Sequence, residues 1–128
     1  MTEAPVIFDR KLVTQRQKRA LAQGPADFLL AAAVEELAAR LSAVQREFSH
    51  ALDLGGPTPM LAEALARPGL EIVRIVEDRA FAGAGRCVVA DTEAVPVAPA
   101  SVDLVVSALD LQWVNDLPGR LAQVRRAR

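Results

Sequence analysis

The chain has 128 residues, enough for one domain with its own core but short for an α/β enzyme. Hydrophobic residues make up 52% and charged residues 24%, which excludes a disordered chain, and a net charge of −1 carries no signature of nucleic acid binding. One cysteine, Cys87, leaves no internal disulfide, and no apolar run is long enough to span a bilayer. Met1 to Arg10 has acids and no apolar signal core, so a cytoplasmic location is expected.

In chain order, Val6 begins a basic segment that runs through Arg10, Lys11, Arg16, Lys18 and Arg19 to Leu21, the pattern of a solvated helix face. Gln23-Gly24-Pro25 breaks it and starts a long helix reaching about Phe48. Its apolar stripe of Phe28, Leu29, Val34, Leu37, Leu41, Val44 and Phe48 predicts a face docked on a sheet. Four short apolar runs follow: Ala51–Leu54, Leu70–Val76, Cys87–Ala90 and Val102–Ser107. Helical or loop-like sequence separates them, the mark of a parallel sheet built from βαβ units. The link between the second and third runs is short and Gly-rich, so its helix should be stunted. A last helix is expected over Asp116–Arg126, capped by Asn115 or Asp116, with Leu117, Leu121 and Val124 facing inward. Residues 1–48 thus read as a helical segment and 49–128 as an α/β domain.

The first strand ends in Asp53-Leu-Gly-Gly-Pro-Thr-Pro59 and passes straight into an apolar-periodic helix. Strand, turn and helix in that order place a ligand at the carboxyl end of a parallel strand. Gly55 and Gly56 permit the tight turn, whereas Pro57 has fixed φ and no N–H to offer a ligand. Pro59 is better tolerated, with Thr58 expected as N-cap and Pro59 in the first turn. Glu77 and Asp78 close the second strand and Asp91 follows the third. Elsewhere the chemistry is thin. His50 is the only histidine and lies at the strand end away from these loops, which argues against a Ser/His/Asp triad. Cys87 with one histidine makes no zinc site, so no metal is expected and no catalytic base is named.

Four stretches resemble the S-adenosylmethionine (SAM)-dependent methyltransferase family. They are closest in wording to the branch of the mitochondrial complex I assembly factor 5 and its bacterial relatives, and are also similar to biotin-pathway malonyl-carrier methyltransferases. Phe8-Asp9-Arg10 is similar to that branch's start. The turn at Asp53 matches a family loop close to Asp-Leu-Gly-Cys-Gly-Thr-Gly, with Pro57 and Pro59 replacing two glycines. Ala90-Asp91-Thr92-Glu93 resembles the family's Ala-Asp-Glu-Glu. Ser101-Val-Asp-Leu-Val-Val-Ser107 with Trp113-Val-Asn-Asp-Leu-Pro118 is the most specific match, departing at Gln112, where the family has histidine.

The resemblance implies a Rossmann-like α/β fold with parallel strands in the order 3-2-1-4, the N-terminal half of a seven-strand domain. It implies SAM as cofactor, held by Asp53, Gly55 and Gly56 in the loop, by Glu77 or Asp78 on the ribose, and by Asp91 with Thr92 at the adenine. The two prolines are expected to weaken that binding. Substrates would be small molecules or proteins, with methyl transfer as the first expectation. Alternatives are a non-enzymatic assembly module, arginine hydroxylation on a respiratory-complex subunit and, more weakly, an NAD-type domain. An unpaired fourth strand, apolar along its length, would favour association of two copies.

Overall fold

The computed structural model describes residues 5–24, 28–83, 85–91, 93–94, 96–111 and 114–128. Two helices lead, α1 (Arg10–Ala22) and α2 (Phe28–Ser42), followed by β1 (His50–Leu54), α3 (Met60–Leu65), β2 (Glu71–Val76), β3 (Cys87–Val89), β4 (Leu104–Val106) and α4 (Leu117–Ala127). The strands form one sheet in the order β3-β2-β1-β4. All three pairings are parallel, as the resemblance implies. Between β2 and β3 the described chain has only a 3-10 turn, Arg79–Phe81, started by the Asp78 carboxylate, which accepts from the Ala80 N–H. The stunted crossover is thus present as expected.

Because side chains alternate along a strand, the sheet has two faces with different covers. One carries Ile72 and Val106 and packs with Leu61 and Leu65 of α3 and Val34 of α2. The other carries Leu52, Leu54, Ile75 and Val105 and meets Val124 of α4 together with Val97 and Val102. Asp103 pins the start of this arrangement. Its carboxylate accepts the N–H groups of Ser49 (2.8 Å) and His50 (2.9 Å), and its own N–H donates to His50 O. Those bonds hold its carboxyl below the usual carboxylate range.

Two expected faces are corrected. α2 ends at Ser42, and its inner row is Leu30, Val34, Leu37, Ala38 and Leu41, at spacings of three and four. Phe28, Leu29 and Val44 are exposed, because they lie off that row or beyond the helix end. In α4 the expected inner residues Leu117 and Leu121 are exposed, Leu121 by 50%, and the helix instead buries Arg120 and Ala127. An ion pair to Arg120, described below, sets that rotation. Asp116 is the N-cap, accepting from the Gly119 N–H at 3.1 Å. Cys87 is half-buried, since β3 is an edge strand.

Leu61 lies inside the cluster that joins α2, α3 and the sheet, whereas Leu37 only borders it. Leu61→Ala should therefore cost about 2–5 kcal/mol, and Leu37→Ala visibly less. Urea unfolding of the two variants checks the order. Equal costs would mean that α2 docks more deeply than its burial shows.

Candidate functional site

The sheet brings the sequence-predicted acids to one end. Asp53 stands near the carboxyl end of β1, Glu77 and Asp78 follow β2, and Asp91 follows β3. They do not form one cluster, however. Asp53 is turned under the glycine turn, 2% exposed, while the other three line an open cleft.

Beneath the turn lies a set of buried charges that sequence reading missed. Asp53 is in register with Arg74 on β2, and Arg74 Nε lies 3.5 Å from Asp53 Oδ2. Arg74 is 1% exposed, and its guanidinium reaches three backbone carbonyls: Phe81 O, Ala82 O (3.0 Å) and Gly56 O (3.0 Å). It thereby joins the loop after β1 to the turn after β2. A second pair, Asp110 Oδ2 to Arg120 Nη1 at 2.9 Å, joins the segment after β4 to α4. Arg120 Nε and Nη2 are buried and bond no described residue. The two pairs are close enough for the Asp110 charge to act on Asp53. Burial is the largest influence on Asp53 and pushes its carboxyl up from 3.8 to about 6, with the Arg74 charge opposing and the Asp110 charge adding.

The turn itself has divided roles. Gly55 and Gly56 both have positive φ, +77° and +90°. A Cβ on Gly55 would collide with the Asp110 carboxylate, so this glycine is needed for close approach as well as for backbone shape. Gly56 faces open space. The expected capping is corrected here: α3 starts at Met60, with Pro59 rather than Thr58 at the N-cap. The Thr58 hydroxyl is buried and bonds no described residue. Pro59 instead packs on Gly83, where a Cβ would lie 2.8 Å from the proline Cγ.

The cleft, about 670 Å³, runs between α1 and the ends of β2 and β3. Arg10, Lys11, Thr14, Gln15 and Lys18 line one wall and Glu77, Asp78, Ala90 and Asp91 the other. Arg10 Nη2 donates to Glu77 Oε1 at 2.6 Å, and Lys18 Nζ lies 3.2 Å from Asp78 Oδ2. The Ala80 N–H, and then Lys18, hold the Asp78 carboxyl below its ordinary range. Asp91 accepts from the Glu93 N–H at 2.8 Å, which orders the turn after β3. Glu93 in turn accepts the N–H groups of Asn115 (3.0 Å) and Asp116 (2.9 Å), and Asn115 Oδ1 accepts those of Ile7 and Phe8. The chain before α1 is thus tied to the segment before α4. Thr92, Gln112 and Trp113 lie outside the described residues. His50 is exposed at the amino end of β1, 3.6 Å from Glu71, at the end away from the loops, as its place in the sequence predicts.

A four-stranded parallel sheet with a glycine turn after β1 and acids after β2 and β3 is the frame of a Rossmann-like domain, a fold in which ligands lie beyond the carboxyl ends of the strands. The chain belongs to the methyltransferase domain family, whose pattern matches residues 52–127. It is 30% identical over 131 residues to the mitochondrial arginine hydroxylase NDUFAF5 of Danio rerio, covering 94% of this chain and 41% of that protein. With the Homo sapiens protein of the same name it is 34% identical over 130 residues, covering 92% and 37%. The chain therefore spans about two fifths of the length of these relatives. A solved structure of a candidate SAM-dependent methyltransferase from Methanococcus maripaludis superposes with a TM-score of 0.65 over 98% of this chain and 62% of that one. At 18% identity this likeness concerns the fold.

Two tests address the buried charges. Gly55→Ala should destabilise the chain by more than Gly56→Ala, because both strain a positive φ but only the first meets Asp110. Thermal melts of the pair give the comparison, and equal losses would separate Gly55 from Asp110. Asp53 binds a proton more tightly folded than unfolded, so its contribution is full below about pH 4. It falls as pH rises through 6, by on the order of 3 kcal/mol. Asp53→Asn should flatten stability against pH between about 4 and 6.5 in urea titrations. The lowered carboxyls of Asp78 and Asp103 act below that window, since their stabilisation is lost only as pH falls beneath their ordinary values.

Proposed function

We propose that this chain is the cofactor-binding part of a SAM-dependent enzyme of the complex I assembly branch. The observation that carries this reading is the cleft that collects Glu77, Asp78 and Asp91 at the ends of adjacent parallel strands. A carboxylate accepts two hydrogen bonds, so Glu77 or Asp78 suits the ribose diol, while Asp91 suits an amino donor such as that of adenine. The residues present fit the group: the cleft has room for a nucleoside, and Gly56 leaves backbone accessible where Gly55 does not. Thr92 belongs to the same proposal. Bound SAM would supply an activated methyl group, and the chain's own part is to orient it and hold it near its acceptor.

The reaction of the whole protein is a second part of the proposal. The curated relatives carry the name arginine hydroxylase, which favours hydroxylation of a protein arginine beside methyl transfer to a small molecule or protein. The fold serves either chemistry, or a binding role without catalysis. No described helix is long and apolar enough to cross a membrane. The division into residues 1–48 and 49–128 is proposed on the sequence pattern alone. Pairing of two copies along β4 belongs to the same reading, since Leu104, Val105 and Val106 are half-buried on an edge strand with no charge among them.

Calorimetric titration with SAM is the test. The unaltered chain should bind weakly, and Pro57→Gly should tighten binding by about ten- to a hundred-fold, since a hydrogen bond to a charged group is worth roughly 1.5–3 kcal/mol. Pro59→Gly should bring no such gain, because Pro59 packs against Gly83. Binding of NAD in preference to SAM would replace the reading. Binding of neither by any variant would leave the assembly-module alternative.

A further inference from the structure

We propose that Arg10 sets the ligand affinity of the α1 cleft, by holding α1 closed over it as an ionic latch. This rests on the cofactor reading above and concerns the control of that site. The first observation is how α1 is held. It is a helix of 13 residues that buries none of them, so apolar packing contributes little to its position. Polar contacts supply the attachment instead. Arg10 reaches Glu77 at 2.6 Å and Glu93 at 3.5 Å, with side chains only 16–19% exposed, and Lys18 reaches Asp78 at 3.2 Å.

The second observation is where those contacts fall. Glu77 and Asp78 are the two acids at the end of β2, either of which suits a ribose diol, and both already hold a cation from α1. A ligand hydroxyl therefore competes with a charge-assisted bond for the same carboxylate. Lys11, exposed on the same wall, and Asp91, bonded among the described residues within its own turn, are not part of the latch. Arg10 matters more than Lys18, because its contact with Glu77 is shorter and both its ion pairs lie deeper, where water and salt screen less. Asn115 anchors the chain just before α1 through Ile7 and Phe8, so release of Arg10 and Lys18 would let α1 swing from that end.

Two readouts test the latch. Hydrogen exchange of the α1 amides, 10–22, should quicken with added salt in the unaltered chain. It should already be quick in Arg10→Gln/Lys18→Gln at low salt, while Arg19→Gln, an exposed α1 cation outside the cleft, serves as control. In titrations of the Pro57→Gly chain with SAM, adding Arg10→Gln should tighten binding by about three- to ten-fold and remove most of the gain that salt otherwise brings. SAM binding that is unchanged by Arg10→Gln overturns the latch and leaves the cofactor reading standing. If no variant binds SAM, the cofactor reading fails and the affinity role of Arg10 is overturned with it, while quickened α1 exchange in the double variant still shows that the ion pairs hold the helix.

Discussion

Asp53, Arg74, Asp110 and Arg120 are buried side by side under the glycine turn, and the loops at the carboxyl ends of β1, β2 and β4 are arranged around them. Taking an ion out of water costs several kcal/mol even after relaxation, so each of these groups is tolerable only with a partner. The two pairs differ in quality. Asp110 and Arg120 meet at 2.9 Å, whereas Arg74 spends most of its guanidinium on backbone carbonyls and stands 3.5 Å from Asp53. Asp53 is consequently the under-compensated member, and its raised carboxyl pKa follows from that shortfall. Removing any one of the four would strand its partner, which is a larger loss than the pair's net contribution.

The same charges explain features that look unrelated. Arg120 turns α4 so that a charged residue faces inward while Leu117 and Leu121 face water. Asp110 fills the space where a side chain on residue 55 would go. Arg74 binds Gly56 O on one side and the carbonyls of Phe81 and Ala82 on the other, which steadies a β2–β3 link that has no full helix to brace it. Buried ion pairs thus brace the loops at the carboxyl end of the sheet, while one wall of the neighbouring cleft is a helix with no buried residue.

Pro57 and Pro59, which stand where the family has glycines, have different consequences. Pro59 forms the contact with Gly83 and begins α3 without loss, because the N-cap position needs no proline N–H. Pro57 follows Gly56, whose side-chain position is open, so its missing donor bears on any ligand approaching there. Membership of the methyltransferase domain family describes the frame that both prolines sit in.

The periodic apolar runs determined four parallel strands, and the Gly-rich link determined the missing crossover helix, because burial on a sheet leaves a pattern readable over a few neighbouring residues. The placing of Glu77, Asp78 and Asp91 at one end was legible for the same reason: each directly follows a strand. Arg74 left a trace, as a lone charge within Glu71-Ile-Val-Arg-Ile-Val76, but its partners come from β1 and from two separate loops. Nothing local marked Arg120 as buried, Glu93 as the acceptor joining Asn115 to Arg10, or Arg10 as the occupant of Glu77. Periodicity records which side of an element avoids water, and it is blind to charge pairs between residues distant in sequence. Only the tertiary structure could decide those, since a buried ion's position is set by the partner that compensates it.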